Sequence, residues 1–339
     1  MNRKFDKGRA VVPVLAVLLP AVILASVCIG RYPVPAGDTL RIFLSRIGLP
    51  MEKTWAPAME AAVMNIRLPR VLLACLVGCC LSAAGTAYQG VFRNPMAAPD
   101  LLGASSGAAF GAALAILLHR SSYMITVCAF AFSLITVVLV TLVGSRAPGK
   151  KVVNLILAGV MVSSLFSGGT SFLKLVADPS DQLPQITYWL MGSLAGASMK
   201  EIIPMLIPMG AGLIPMLLLR WQLNLLTLGD DEARTMGVNV SRLRMILVLS
   251  STLITASAVS ISGMIGWVGL VVPHLCRKLA GNDCRRLIPC SMLLGAVFLT
   301  VVDDLSRNLL AVEIPIGILT AFIGAPFFLY LITRKETTL

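Results

Sequence analysis

The few residues of this sequence that could do chemistry are concentrated in one polar stretch, Leu225–Arg244, between strongly apolar segments. Within it, three acidic residues that begin at Asp230 precede Arg234, which is the charge order that a helix dipole favours. Gly229 or Asp230 can cap the start of such a helix, and Gly237 stands where a left-handed C-cap would end it. The pattern predicts a short amphipathic helix.

A short amphipathic helix beside a membrane could lie in the lipid interface or bind a soluble partner. Interfacial helices usually carry bulky apolar residues and an excess of Lys and Arg. The run Asp230–Met236 is instead acidic and rich in small residues. We therefore expect it to bind a soluble partner.

No catalytic constellation is visible elsewhere in the sequence. Gly144–Lys151 begins like a phosphate-binding loop, but it lacks the Ser or Thr that would hold Mg²⁺ and it follows an apolar run. Neither His119 nor His274 has convergent acids or nucleophiles, and the cysteines form no Cys-x-x-Cys pair. We expect a chain that is not an enzyme, with no metal site and no bound cofactor.

Asp303 and Asp304 are the best candidates for acids within the membrane, a placement that invites a functional interpretation. They fall at the end of an apolar run beside Arg307, so they could also lie at the outer interface and pair with that arginine. An ion-coupled secondary carrier would need acids midway through the bundle, and none is clearly placed there. That function remains the alternative.

Composition defines the class of protein. Hydrophobic residues make up 57% of the 339 residues, and charged residues make up 13%, well below the roughly 25% of soluble domains. The net charge of +12 does not indicate nucleic acid, because the basic residues are scattered between apolar blocks. We expect a polytopic membrane protein.

The apolar runs between charged residues give the spans, each of which needs about 20 residues. The run Met245–Cys276 is too long for one span. It is interrupted by Ser262, Gly263 and Gly266, so we divide it into a full helix and a shorter one around Val268–Leu279. The fold class is therefore all-α, with about ten transmembrane helices. The other runs are Ala10–Gly30, Val71–Phe92, Leu101–Leu118, Ser121–Ser145, Val152–Leu173, Ile202–Leu219, Leu287–Val302 and Ile314–Thr333.

The basic residues predict the orientation. With the N-terminus inside, most of the 28 Lys and Arg residues fall in inner segments, including Lys150, Arg334 and Lys335. Positive charge is enriched on the cytoplasmic side of membrane proteins. Both termini and Leu225–Arg244 should then be cytoplasmic.

Several motifs together resemble one family. They are Arg67-Leu-Pro-Arg70, Arg93-Asn-Pro-Met96, Leu102-Gly-Ala-Ser-Ser-Gly107, Leu228–Gly237, Gly269-Leu-Val-Val-Pro-His274 and Glu313-Ile-Pro-Ile-Gly317. In this order and spacing the chain resembles the FecCD/BtuC-type permeases, the membrane subunits of ABC importers for iron-siderophores, haem and cobalamin.

The resemblance implies a type II ABC importer permease fold, with residues 1–339 as a single transmembrane permease domain. It implies a second permease copy (a homodimer) or a paralogue as partner. Two cytoplasmic ATPase subunits would use ATP-Mg, and an extracytoplasmic substrate-binding protein would deliver cargo. The partners expected are these proteins and the lipid bilayer, and not nucleic acid. The cargo expected is a chelated metal, with iron-siderophore or haem ahead of cobalamin, carried across the inner membrane.

The resemblance also assigns roles to residues. Coupling helices at about residues 225–241 would bind the ATPase through Gly229, Asp230, Asp231, Glu232, Ala233, Arg234, Met236 and Gly237. Docking of the binding protein would use Arg67, Arg70 and Arg307. An inner gate would have two layers: Asn94 and Met96 in one, Val152 and Val153 in the other. The family often has small polar residues in the second layer, where this chain has two valines.

Overall fold

A computed structural model describes residues 2–46, 48–50, 52–149 and 151–333. Lys150, Arg334 and Lys335, which the orientation prediction places inside, lie outside the described residues.

The described residues form fifteen α-helices and one short π-helical segment, with no strand among them. The α-helices are α1 Asn2–Cys28, α2 Ala36–Arg46, α3 Pro57–Ala61, α4 Leu68–Val91, α5 Ala104–Leu117, α6 Ser122–Arg146, α7 Lys151–Val176, α8 Gln182–Met191, α9 Met199–Leu218, α10 Arg220–Leu228, α11 Asp230–Thr235, α12 Val240–Ser262, α13 Val268–Ala280, α14 Cys284–Asn308 and α15 Ile316–Thr333. The π-helical segment, Ala62–Arg67, joins α3 to α4.

Each of the ten predicted spans corresponds to one helix, but not all of these helices are long and apolar enough to cross a membrane by themselves. Seven helices in the described part of the chain are long and apolar enough to cross a membrane: α1, α4 with its N-terminal extension, α6, α7, α9, α12 and α14. Two others, α5 and α15, are apolar but shorter. The predicted division of Met245–Cys276 is confirmed, because α12 ends at Ser262 and α13 begins at Val268.

The centre of the bundle is α4, which is buried along most of its length and packs against α12, α13 and α14. A helix that is apolar or small-sided all round is suited to such a position. Glycines bring its neighbours close. A Cβ on Gly85 would lie 2.6 Å from the carbonyl carbon of Gly269 in α13, and one on Gly78 would lie 2.8 Å from that of Gly295 in α14.

Glycines recur every four residues at Gly103, Gly107 and Gly111, a spacing that predicts close packing of α5 against another helix. A Cβ on Gly107 would lie 2.6 Å from the carbonyl oxygen of Phe132 in α6, and one on Gly111 would lie 2.8 Å from the carbonyl carbon of Cys128. The spacing thus lets two helix backbones approach closely.

One large apolar surface lies along α7. Met161, Leu165, Phe172 and Leu175 are exposed by 61% or more of their surface. In a membrane protein such a face contacts lipid or another helix.

Candidate functional site

The predicted short helix is α11. Gly237, with φ 83°, ends it in the left-handed conformation. Its N–H donates to the Arg234 carbonyl at 2.9 Å, and that of Val238 donates to the Ala233 carbonyl at 3.1 Å. These two bonds satisfy the last carbonyls in a Schellman motif. The sequence therefore indicated both the helix and its C-terminal cap.

One face of α11 is fixed to the protein and the other is free. Ala233 is fully buried, whereas Asp231, Glu232, Arg234 and Met236 are exposed. Arg234 and Asp231 form an exposed ion pair of 3.4 Å. The helix thus presents a mixed-charge surface at one end of the bundle, which we call the α11 end.

Asp230 does not belong to that free surface. Its Oδ1 accepts a hydrogen bond of 2.8 Å from Arg244 Nη2 at the start of α12 and lies 3.7 Å from Arg93 Nη2. The hydrogen bond from Arg244 is the largest cause that lowers the pKa of Asp230 from its usual 3.8. Because the folded pKa is lowered, this stabilisation is present above pH 3.8 and is lost only as the pH falls through the lowered value. Sequence reasoning grouped Asp230 with the partner-binding residues and missed both arginine partners.

The predicted first gate layer lies in the turn after α4. Asn94 Oδ1 accepts a hydrogen bond of 2.8 Å from the Met96 N–H, which fixes the turn by a local side-chain bond. The Met96 side chain is 47% exposed. The turn starts at Arg93, which has φ 48°.

The predicted second layer, Val152 and Val153, lies at the start of α7. Both valines line a cavity of about 600 Å³, together with residues of α11 and with Arg93 and Arg244. Met96 does not line this cavity, so the cavity does not connect the two predicted gate layers.

Three arginines at the opposite end of α4 are buried and bonded within the chain, and we call this region the arginine end. Arg70 Nε lies 2.9 Å from Asp303 Oδ1, and Arg70 Nη1 lies 2.8 Å from Glu313 Oε2. Arg307 Nε lies 3.1 Å from Asp303 Oδ2, and its Nη2 contacts Asp304. The Asp303 side chain is 0% exposed, and those of Arg70 and Arg307 are 6% and 7% exposed.

Arg67 satisfies the end of a different helix. Its Nη1 donates to the carbonyl oxygens of Val27 at 2.9 Å and Cys28 at 3.1 Å, and its Nη2 donates to that of Tyr32. The last carbonyls of a helix have no partner within it, so Arg67 caps α1 from the π-helical segment. A Cβ on Gly30 would lie 2.7 Å from Arg67 Nε, which explains the small residue there.

The docking role for Arg67, Arg70 and Arg307 stays a prediction, but the structure does not present them as free surface charges. All three are buried. The pairing of Arg307 with Asp303 and Asp304, which the sequence left open, is present. Charge reversal at Arg70 would place a new negative charge beside the buried Asp303, so a resulting loss of docking would not isolate a surface contact.

A cavity of about 750 Å³ is lined mainly by apolar side chains of α4, α8, α13 and α15 and of the segments between helices. Asp100 is the one charged residue among those that line it. Its Oδ1 accepts a hydrogen bond of 2.9 Å from the Ser105 N–H, in the first turn of α5. Sequence reasoning missed Asp100, although an acid between two apolar runs is a recognisable signal.

Comparison with solved structures places this bundle among transport permeases. The fold matches, with a TM-score of 0.84 and 38% identity, an inward-facing structure described as a metal-chelate type ABC transporter. The match covers 96% of this chain and 99% of the solved chain.

The model of the FecCD transport family matches residues 18–334, so the chain belongs to that family. The molybdate import system permease protein MolB of Haemophilus influenzae is 38% identical over 95% of each chain. The hemin transport system permease protein HmuU of Yersinia pestis is 44% identical over 80% of this chain and 83% of the relative.

Proposed function

We propose that this chain is the membrane permease subunit of an ABC importer in which ATPase subunits bind α11. The observation that carries this proposal is the geometry of α11. A buried alanine and a Schellman cap hold a six-residue helix in place, and its opposite side displays charges of both signs. Such a surface can bind a protein groove with defined orientation.

The proposal includes an orientation in the membrane and a set of partner subunits. The α11 end faces the cytoplasm, where ATP-Mg is available to two ATPase subunits. A second permease copy, or a paralogue, covers the exposed apolar face of α7, so that a pathway runs between the two. A substrate-binding protein docks at the arginine end.

The cargo is a metal chelate, with iron-siderophore or haem ahead of cobalamin. The 750 Å³ cavity supports this choice, because pockets for bulky organic ligands have about this volume and predominantly apolar walls. The two relatives are named for different cargoes, molybdate and hemin. Membership of the family therefore does not identify the cargo. A bare oxyanion would meet one carboxylate and no lysine, arginine or histidine among the described residues that line the cavity.

Transport proceeds by alternating access. ATP binding in the partner moves α11, and with it the inner ends of the helices, between two arrangements. ATP shifts the populations of these arrangements because it binds one of them more tightly. Asn94 and Met96 form one layer of the inner gate, and Val152 and Val153 form the other.

The experiment reverses the charges on the free face of α11 with Glu232→Lys and Arg234→Glu in one variant. The variant should still fold, since exposed ion pairs contribute under about 1 kcal/mol each to the free energy of unfolding. The variant should lose ATP-driven uptake of ferric siderophore or haem in proteoliposomes that contain the ATPase and binding protein encoded with it. Arg242→Gln, an exposed charge nearby in α12, is the control. Unchanged uptake by the double variant, or uptake abolished by a proton ionophore while ATP is present, would refute the proposal.

A further inference from the structure

One carboxylate at the α11 end joins three segments that are distant in the sequence. Asp230 begins α11, Arg244 lies in the second turn of α12, and Arg93 lies in the turn that follows α4. Asp230 Oδ1 is 2.8 Å from Arg244 Nη2 and 3.7 Å from Arg93 Nη2. Any displacement of Asp230 therefore acts on both arginines.

The two contacts differ in burial, and so in what they can do. The Arg244 side chain is 8% exposed, whereas that of Arg93 is 46% exposed. A buried charged hydrogen bond fixes geometry, and an exposed ion pair contributes little to stability. Arg244 thus attaches α11 to α12, while the Arg93 contact joins α11 to the turn after α4 and contributes little to stability.

Arg93 also has an unusual backbone. Its φ of 48° lies in the left-handed region, which non-glycine residues seldom adopt and which often marks functional sites. This conformation turns the chain at the end of α4, so that Arg93 faces Asp230 while the next residue, Asn94, begins the turn that holds Met96.

The second predicted gate layer lacks such a contact with Asp230. Val152 and Val153 line the 600 Å³ cavity that also borders Asp230 and Arg93. Among the described residues, the ion pairs of Asp230 are those with Arg93 and Arg244. The space next to the valines leaves room for α11 to move relative to α7.

We infer that the Asp230–Arg93 ion pair transmits movement of α11 to the Asn94–Met96 turn. Arg93 is then a positioning residue: it contacts no cargo and sets the position of the gate turn when α11 moves. The inference rests on the proposed function, because it requires an ATPase that displaces α11.

The test places a reporter in the turn. In the purified complex with its partner ATPase, Met96→Cys is introduced after the three partly exposed cysteines, Cys28, Cys79 and Cys128, are replaced by Ala. The reaction rate of a thiol-specific spin label at position 96 is compared without nucleotide and after trapping with ATP and vanadate. Arg93→Gln removes the charge, Arg93→Lys retains it, and Arg242→Gln is the matched control.

Without further changes, the labelling rate at position 96 should differ between the two states by about tenfold, within the 5–150-fold range of typical coupling between sites. Arg93→Gln should reduce this difference to less than about twofold with ATP hydrolysis retained, whereas Arg93→Lys and Arg242→Gln should preserve most of it. A full response in Arg93→Gln would overturn the inference and leave the proposed function standing. No response in the parent would overturn both the inference and the gate role of Met96, but not the binding of the ATPase to α11. Failure of the ATPase to bind would overturn both the inference and the proposed function.

Discussion

At the arginine end, the Asp303 side chain is fully buried between Arg70 and Arg307, whereas at the α11 end Asp230 is 30% exposed between Arg93 and Arg244. At each site two arginines share one carboxylate, and at the arginine end Arg70 and Arg307 also pair with Glu313 and Asp304. They lie at opposite ends of α4, which spans about 36 Å at 1.5 Å per residue. The same grouping of charges therefore occurs twice in different surroundings.

The two sites differ in how far their charged side chains are exposed to solvent and in the free space beside them. Removal of one charge from a buried pair leaves the other uncompensated, and this is far costlier than the same change at a surface. The arginine end is also reinforced by the bonds of Arg67 to the end of α1. The α11 end adjoins a 600 Å³ cavity. We conclude that one end of α4 is held rigidly and the other has freedom to move.

The largest expected effect is at the arginine end. Asp303→Asn should lower the free energy of unfolding of the chain in detergent by about 3–5 kcal/mol, because it leaves two buried guanidinium groups short of one negative charge. Chemical denaturation measures it. Asp38→Asn, in an exposed pair with Arg41 of 3.4 Å, is the control and should cost under about 1 kcal/mol. Equal losses in both variants would remove the distinction between buried and exposed pairs.

A smaller effect is expected at the α11 end. Arg244→Gln should cost about 1.5 kcal/mol, the value of a hydrogen bond between charged groups, because Asp230 can still be solvated. Proteolysis within residues 225–241 should become faster, since α11 would no longer be attached to α12. A loss as large as that of Asp303→Asn would mean that the two ends are held equally.

The smallest effect is expected on the free face of α11. Arg234→Gln breaks the ion pair with Asp231, whose partners are 63% and 91% exposed, and should change the free energy of unfolding by less than about 0.5 kcal/mol. A loss above about 1 kcal/mol would indicate that this pair holds the helix in place, contrary to a surface kept for a partner.

Much of the fold could be predicted because apolar runs and glycines act locally. The interruption at Ser262 and Gly263 indicated that α12 ends before α13 begins, and the glycines of α5 indicated its close contact with α6. The predicted short helix around Val268–Leu279 agrees with α13, whereas α5 is shorter than the run Leu101–Leu118 that predicted it. A half-length helix is stabilised by its neighbours within the bundle rather than by its own hydropathy.

The site was predicted less well, since its ion pairs join residues far apart in the sequence. Charge order and Gly237 were enough to place α11. The pairing of Arg70 with Asp303 spans 233 positions, and that of Asp230 with Arg93 depends on how α4 and α11 pack. The family resemblance gave Arg67 and Arg70 a docking role but could not show that they are buried.

Hydrogen–deuterium exchange of the complex in nanodiscs tests the central claim, that one end of α4 is fixed and the other moves. Exchange is compared without nucleotide and after trapping with ATP and vanadate. We expect exchange to change at residues 225–244 and 92–97 and to stay constant at residues 300–314, the segment that holds Asp303, Arg307 and Glu313. A change at residues 300–314 as large as that at residues 225–244 would contradict it.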